Sequence, residues 1–213
     1  MSDDLEKMSN SLFDNQVPIA WSPPVGFLSL KPLASWIIDL TERITFLQKW
    51  VDGGSPATFW ISGFFFPQAF FTGTLQNYAR KHVIAIDQLS YEFKVYDEQT
   101  PQSITEKPED GCLCHGMYIE GARWNSQTHL LDDSNPKQLY SEFPMVWFLP
   151  KKDRKKPESG IYNCPVYKVL SRTGTLSTTG HSTNFCLYVE LPTREDQDKW
   201  IRAGVACFLA LRY

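Results

Sequence analysis

Between Pro32 and Gly54 the residues Leu33, Ile37, Leu40, Ile44, Leu47 and Val51 recur at spacings of four and three, which predicts a long helix with one continuous apolar stripe. Gly53-Gly54 and Pro56 stop it. Burying that stripe is worth about 9–18 kcal/mol gross, at roughly 1.5–3 kcal/mol per large apolar side chain. Ordering the backbone costs about 1–2 kcal/mol per residue, so the helix must dock on a neighbour. Trp36 and Trp50 lie off the stripe; they either widen the core face or form a second contact surface. A second helix is predicted from Phe66 onward, because Pro67 suits a first helical turn, where an N–H has no intrahelical partner. Phe71, Leu75, Tyr78 and Ala79 line one face of it, and Gln68, Thr72, Gln76 and Arg80 form a polar row on another. Ahead of both, Leu5, Met8 and Leu12 after Ser2 predict a short capped helix. Pro18, Trp21 and Pro23-Pro24 then predict an extended segment pressed onto a surface by Trp21.

After Arg80 the period changes. Leu89, Tyr91, Phe93 and Val95 alternate with Ser90, Glu92, Lys94 and Tyr96, as in a half-buried strand that follows Ile86-Asp87 without a flexible linker. A Pro- and Glu-containing loop over 97–110 precedes β-like runs at 113–119, 122–124, 145–149, 161–170, 185–191 and 203–211. Glu120-Gly121 fits a tight turn, and Ser134-Asn135-Pro136 fits another, with one short helical turn nearby. Thr193, followed by Glu195 and Asp196, is expected to cap a brief helix through Trp200. Short strands punctuated by Gly and Pro argue for a small antiparallel barrel or sandwich. The reading is therefore α+β: an N-terminal helical subdomain, 1–88, packed on a C-terminal antiparallel β-barrel of about six short strands, 89–213.

Composition narrows the function classes. The 213 residues are 42% hydrophobic and 21% charged, enough for one large core or two small ones. A formal charge of −3 argues against nucleic acid, which is held largely by cationic neutralisation of phosphates. No run approaches the ~20 apolar residues of a membrane helix, and the N-terminus is acidic and polar, unlike a signal peptide. An intracellular protein is expected, with its five cysteines reduced. The basic run Lys151-Lys152-Asp153-Arg154-Lys155-Lys156 reads as a solvated loop, one trypsin-sensitive site over 151–159, with 97–110 the other.

Candidate chemistry is thin. Gly111 and Gly116 have the spacing of a phosphate loop, yet Met117 and Tyr118 stand where its lysine and hydroxyl belong. Cys112, Cys114 and His115 lack the spacing and the fourth ligand of a structural zinc site. His82, His115, His129 and His181 have no nucleophile-elbow motif to serve, and His181 reads as a turn residue. No catalytic, cofactor-binding or metal residue is expected.

The run Trp60-Ile61-Ser62-Gly63-Phe64-Phe65-Phe66-Pro67-Gln68, followed by Thr72-Gly73-Thr74-Leu75-Gln76-Asn77-Tyr78-Ala79-Arg80-Lys81, resembles the hallmark of the C-terminal regions of dynein heavy chains. The likeness continues through Ile86-Asp87, Glu120-Gly121-Ala122-Arg123-Trp124 and Cys164-Pro165-Val166-Tyr167-Lys168 to Trp200-Ile201. Phe70-Phe71, Leu75 and Gln76-Asn77-Tyr78 look more like the axonemal, inner-arm type than the cytoplasmic heavy chains. The resemblance implies helices followed by a β-barrel, packed on the AAA+ ring of the same heavy chain and modulating its motion without catalysis. It implies that ATP and Mg, microtubules and the dynein light and intermediate chains are bound elsewhere in the parent motor, and that the protein belongs to the cytoplasm and cytoskeleton, in the ciliary axoneme. Met1 is then expected to mark a cut and not a native start. Trp60, Phe64, Phe65, Phe66 and Pro67 are expected in the core, and Trp36, Trp50, Gln68, Thr72, Gln76 and Arg80 at the ring. The competing reading is a free-standing barrel that binds a peptide or small molecule, with no phosphate loops encoded upstream.

Overall fold

The computed structural model describes residues 3–21, 27–97, 99–176 and 182–212. Ser2, Pro23, Pro24 and His181, each given a role above, lie outside the described residues. Four α-helices occur among the described residues: α1 (Asp3–Phe13), α2 (Leu33–Gly53), α3 (Pro67–His82) and α4 (Gln197–Arg202). Eleven strands accompany them: β1 (Thr58–Trp60), β2 (Leu89–Tyr96), β3 (Cys112–His115), β4 (Tyr118–Glu120), β5 (Ala122–Asn125), β6 (Leu130–Asp133), β7 (Tyr140–Glu142), β8 (Met145–Lys152), β9 (Ile161–Val169), β10 (Phe185–Pro192) and β11 (Ala206–Ala210).

The α+β class holds. Among the described residues, however, the strands do not close into the expected barrel. They form a four-stranded sheet in the order β1-β3-β8-β2, a five-stranded sheet in the order β10-β9-β11-β4-β7, and the separate hairpin β5-β6. Nor is the pairing wholly antiparallel, since β1 runs parallel to β3 and β11 parallel to β9. The β-like run expected over 113–119 breaks into β3 and β4 at Gly116 and Met117. Two strands, β6 and β7, lie outside the expected β-like runs, on either side of the Ser134-Asn135-Pro136 turn; they are four and three residues long and their pairing rests on backbone hydrogen bonds to β5 and β4, so there is no alternation to read.

β1, from the helical part of the sequence, forms an edge of the first sheet, and β2 begins at Leu89 directly after a 3₁₀ turn at Ile86–Gln88. Phe59, Ile61 and Phe71 share one continuous core with Val146, Phe148, Ile119, Val166 and Trp200 from the strands and α4. The Tyr91 hydroxyl donates to the Phe71 carbonyl at 2.7 Å, tying β2 to α3. The last helix is capped by Asp196, whose carboxylate accepts the Asp198 N–H at 2.8 Å. Thr193, expected to cap it, instead accepts the indole N–H of the fully buried Trp200 at 2.9 Å. Arg154 is likewise no part of a solvated run, because it forms a two-pronged ion pair with the buried Glu190.

The largest departure concerns α2. The aliphatic stripe expected to be its core face is open: Ile37, Ile44 and Val51 are 47, 53 and 80% exposed. The helix buries Trp36, Asp39 and Arg43 instead. Arg43 Nε donates to Asp39 Oδ2 at 2.7 Å, and its Nη1 donates to the Phe64 carbonyl at 3.1 Å. Its guanidinium lies 4.5 Å over the Phe27 ring. With its charge paired, two of its donors engaged and an aromatic ring against its face, arginine can be buried, whereas hydropathy alone assigns that face to water. Pro32 has no capping side-group, so Asn15 reaches across and accepts the N–H groups of Leu33 and Ala34 through its backbone carbonyl and its amide oxygen, at 2.9 and 3.3 Å.

Asp39→Ala leaves the Arg43 charge buried and unpaired. It is expected to cost about 3–5 kcal/mol, read as a shift in the urea-denaturation midpoint, whereas a loss under ~1 kcal/mol contradicts this role for the pair.

Candidate functional site

The candidate site is built on α2, α3 and the segment joining them. Ser62 donates its hydroxyl hydrogen to the Gly116 carbonyl. A Cβ on Gly63 would stand 2.4 Å from the Trp60 ring, and one on Gly116 would stand 2.5 Å from the same indole. The two glycines thus let Trp60 seat between the β1–α3 turn and the end of β3. Phe64 stacks on Phe70 at 4.4 Å and meets Trp50 and Phe46 edge-on at 5.9 and 5.5 Å, the geometries that aromatic quadrupoles favour.

The residues expected at the core divide. Pro67 is buried, and Trp60, Phe64 and Phe65 are half-buried. Phe66, by contrast, is 45% exposed with Lys168 Nζ 5.6 Å over its ring. It occupies the N-cap position of α3, where the backbone turns outward before Pro67.

The residues expected at an outer contact divide as well. Trp36 is buried in a stack with Phe27 at 5.5 Å and 3°, and Trp50 is half-buried against Phe59, Phe64 and Phe70. Both therefore serve intramolecular packing. Gln68 departs from its row: it is buried, and its Nε2 donates to the Ser182 and Phe185 carbonyls at 3.1 and 2.8 Å. Those bonds anchor α3 to the start of β10. Its Oε1 is buried without a hydrogen-bond partner among the described residues. Thr72, Gln76 and Arg80 do lie on the exposed side of α3, spanning about 12 Å of helix.

Beside α3 lies an aromatic cleft of about 480 Å³, whose walls include Trp50, Phe59, Phe70, Tyr78 and Pro108. Asp110 ties its rim to the last turn of α3, accepting from Lys81 Nζ at 2.8 Å with His82 Nε2 3.1 Å away. The Lys81 hydrogen bond, helped by His82, holds the Asp110 carboxyl below the usual carboxylate range, and the same bond to Asp110 raises the Lys81 ammonium. This tie was not legible in the sequence, because 28 positions separate His82 from Asp110.

The spaced glycines flank a strand and not a phosphate loop, with β3 paired to β1 on one side and β8 on the other. Cys114 Sγ lies 3.7 Å from Cys112 Sγ, and Cys164 Sγ 3.6 Å from Cys207 Sγ. Burial pushes the Cys114 and Cys164 thiols well up, and that of Cys186 to about 12, away from the thiolate that nucleophilic or metal chemistry needs. Burial also lowers His115. Among the described residues no three His, Cys, Asp or Glu side chains converge as a metal site.

Comparison with known proteins places this architecture. The family model for the C-terminal domain of dynein heavy chains matches residues 1–209. The sequence is 54% identical over 213 residues to Dynein axonemal heavy chain 1 of Homo sapiens, covering all of this chain and 5% of that protein. It is 46% identical over 211 residues to Dynein axonemal heavy chain 3 of Homo sapiens, covering 99% of this chain and 5% of that protein. With Dynein axonemal heavy chain 6 of Homo sapiens it shares 42% over 230 residues, covering 99% and 6%. The 213 residues thus span about one-twentieth of the length of these relatives.

Two of these contacts can be tested separately. Gln68→Ala is expected to cost about 1–3 kcal/mol by taking the donor from two part-buried carbonyls, those of Ser182 and Phe185, while Gln76→Ala and Arg80→Ala stay within about 0.5 kcal/mol; equal losses in thermal or urea unfolding contradict the division. The depressed Asp110 pKa contributes stability that is present above the unfolded carboxylate value of about 3.9 and is lost as pH falls through the lower folded value. The raised Lys81 pKa contributes stability lost only at the alkaline end. Asp110→Asn should therefore lose less stability than the parent between about pH 5 and about pH 2, and identical acid losses refute the tie.

Proposed function

The chain belongs to the family of C-terminal domains of dynein heavy chains, and from that premise we propose that it is a non-catalytic module that packs on the AAA+ ring of its own heavy chain and modulates a microtubule-based motor in cilia. The observation that carries this reading is similarity along 99–100% of the sequence to proteins named as axonemal dynein heavy chains. ATP, Mg and the microtubule belong, on this reading, to the remainder of the motor, as do contacts with light and intermediate chains. The setting is the cytoskeleton of the ciliary axoneme.

Regulation needs no chemistry in the module. A ring that passes through several shapes is biased by any partner that binds those shapes with unequal affinity. A difference of about 1.4 kcal/mol shifts the balance tenfold, which a few surface contacts can supply. Thr72, Gln76 and Arg80 suit that role because they face outward and their loss leaves the core intact. Trp36, Trp50 and Gln68, committed to internal packing, are its scaffold.

The test is the full motor against two variants. One lacks residues 33–213; removing only 89–213 would strip Phe59, Ile61 and Phe71 of their core partners. The other carries Gln76→Ala with Arg80→Ala. Hydrolysis is expected to persist while force or run length changes in single-molecule motility. If force, run length and ATPase rate all stay unchanged in folded motors, the regulatory role falls and a scaffold remains.

A further inference from the structure

The open face of α2 has a register of its own. Leu33, Ile37, Leu40, Ile44, Leu47 and Val51 alternate in steps of four and three over the whole helix, about 30 Å at 1.5 Å per residue. That is a heptad seam, with β-branched residues at one core position (Ile37, Ile44, Val51) and leucine at the other (Leu33, Leu40, Leu47), the combination that favours two-helix packing. The structure splits the seam lengthwise. The leucines, on the side nearer the Trp36–Arg43–Trp50 face, are half-buried, while the β-branched residues are exposed. Thr41 and Gln48 border the open side, and the one charge beside it, the Asp52 carboxylate that accepts from Gln48 Nε2 at 2.8 Å, lies at its C-terminal end. No other described residue covers this row, and isolated exposed aliphatics are ordinary where a continuous row is not.

We infer that this seam is a docking site for one amphipathic helix from the part of the same heavy chain that lies outside these 213 residues. The inference rests on the reading that the domain is a module of a larger motor. About nineteen-twentieths of the length of the relatives lies outside the matched region. A helix from that remainder is tethered, and tethering raises its effective concentration to about the millimolar range. A second copy has no such advantage, and six side chains in one row fall short of the ~1,600 Å² of a standard free-standing interface. The geometry also specifies the occupant. It is a helix with its own three-four apolar repeat, crossing α2 at about 20°, and uncharged where it meets Thr41 and Gln48.

The test places a benzophenone amino acid in the full heavy chain at Ile44 in one protein and at Gln76 in another, with cross-links mapped by mass spectrometry. The expected Ile44 product joins α2 to a helix with apolar three-four spacing elsewhere in the same polypeptide. Ile37→Glu with Val51→Glu should cut that yield at least about tenfold, given the burial of two aliphatic side chains. Glu42→Lys with Lys49→Glu, on the opposite side of α2, should leave it unchanged. A product between two copies of α2, a product with a separate protein, or no product at Ile44 overturns the inference. If Gln76 still cross-links to the heavy chain in those cases, the proposed packing on the ring stands and only the seam fails. If neither position cross-links in a folded motor, both fail.

Discussion

A single buried guanidinium holds helix α2 to the segments on either side of it. Arg43 satisfies its charge with Asp39, donates to the carbonyl of Phe64, and lies over the ring of Phe27. Those partners come from α2 itself, from the segment entering α3 and from the stretch preceding α2. Removing the carboxylate would leave a charge in a medium that solvates it poorly. The aromatic side chains around it, Phe27, Trp60 and Phe65, supply area and shape. The hydrogen bond to Phe64 supplies register, since Asp39 and Arg43 share one face of α2 and only one rotation brings that face to the Phe64 carbonyl.

That constraint decides which face of α2 is left over. A helix held by Trp36, Arg43 and Trp50 must turn Ile37, Ile44 and Val51 away from the core. Gln68 plays the comparable part on α3, committing its amide to two carbonyls before β10 and leaving Thr72, Gln76 and Arg80 to face out. In both helices, buried polar groups fix the rotation of the element, and rotation sets what a neighbour can touch.

Local rules were legible where local physics dominates. Pro67 opens α3 as its fixed φ requires, alternation locates β2, and Gly121 at φ +76° makes the turn between β4 and β5. The short pairings were not legible. β1 and β7 are three residues long and β6 is four, so their existence depends on partners elsewhere in the sequence. The face of α2 was misread for a different reason. Periodicity counts arginine and aspartate as solvent-seeking, yet the paired Arg43 sits deeper than Ile37, Ile44 and Val51. The same blindness hid Gln68 inside a polar row. The aromatic and glycine residues around Trp60, which carried the resemblance, interlock at contact distances, with no room for a Cβ at Gly63 or Gly116.

Helix α2 thus has two working faces, an inner aromatic and ionic one that builds the domain and an outer aliphatic one that, on the inference above, joins it to the rest of its motor. A density map of the intact heavy chain, resolved well enough to see side chains along α2, tests this most directly. Two working faces require Trp36, Asp39 and Arg43 facing the domain and Ile37, Ile44 and Val51 covered by a helix of the same polypeptide. A map in which those three aliphatic side chains face open solvent while the domain is seated on its ring would contradict it.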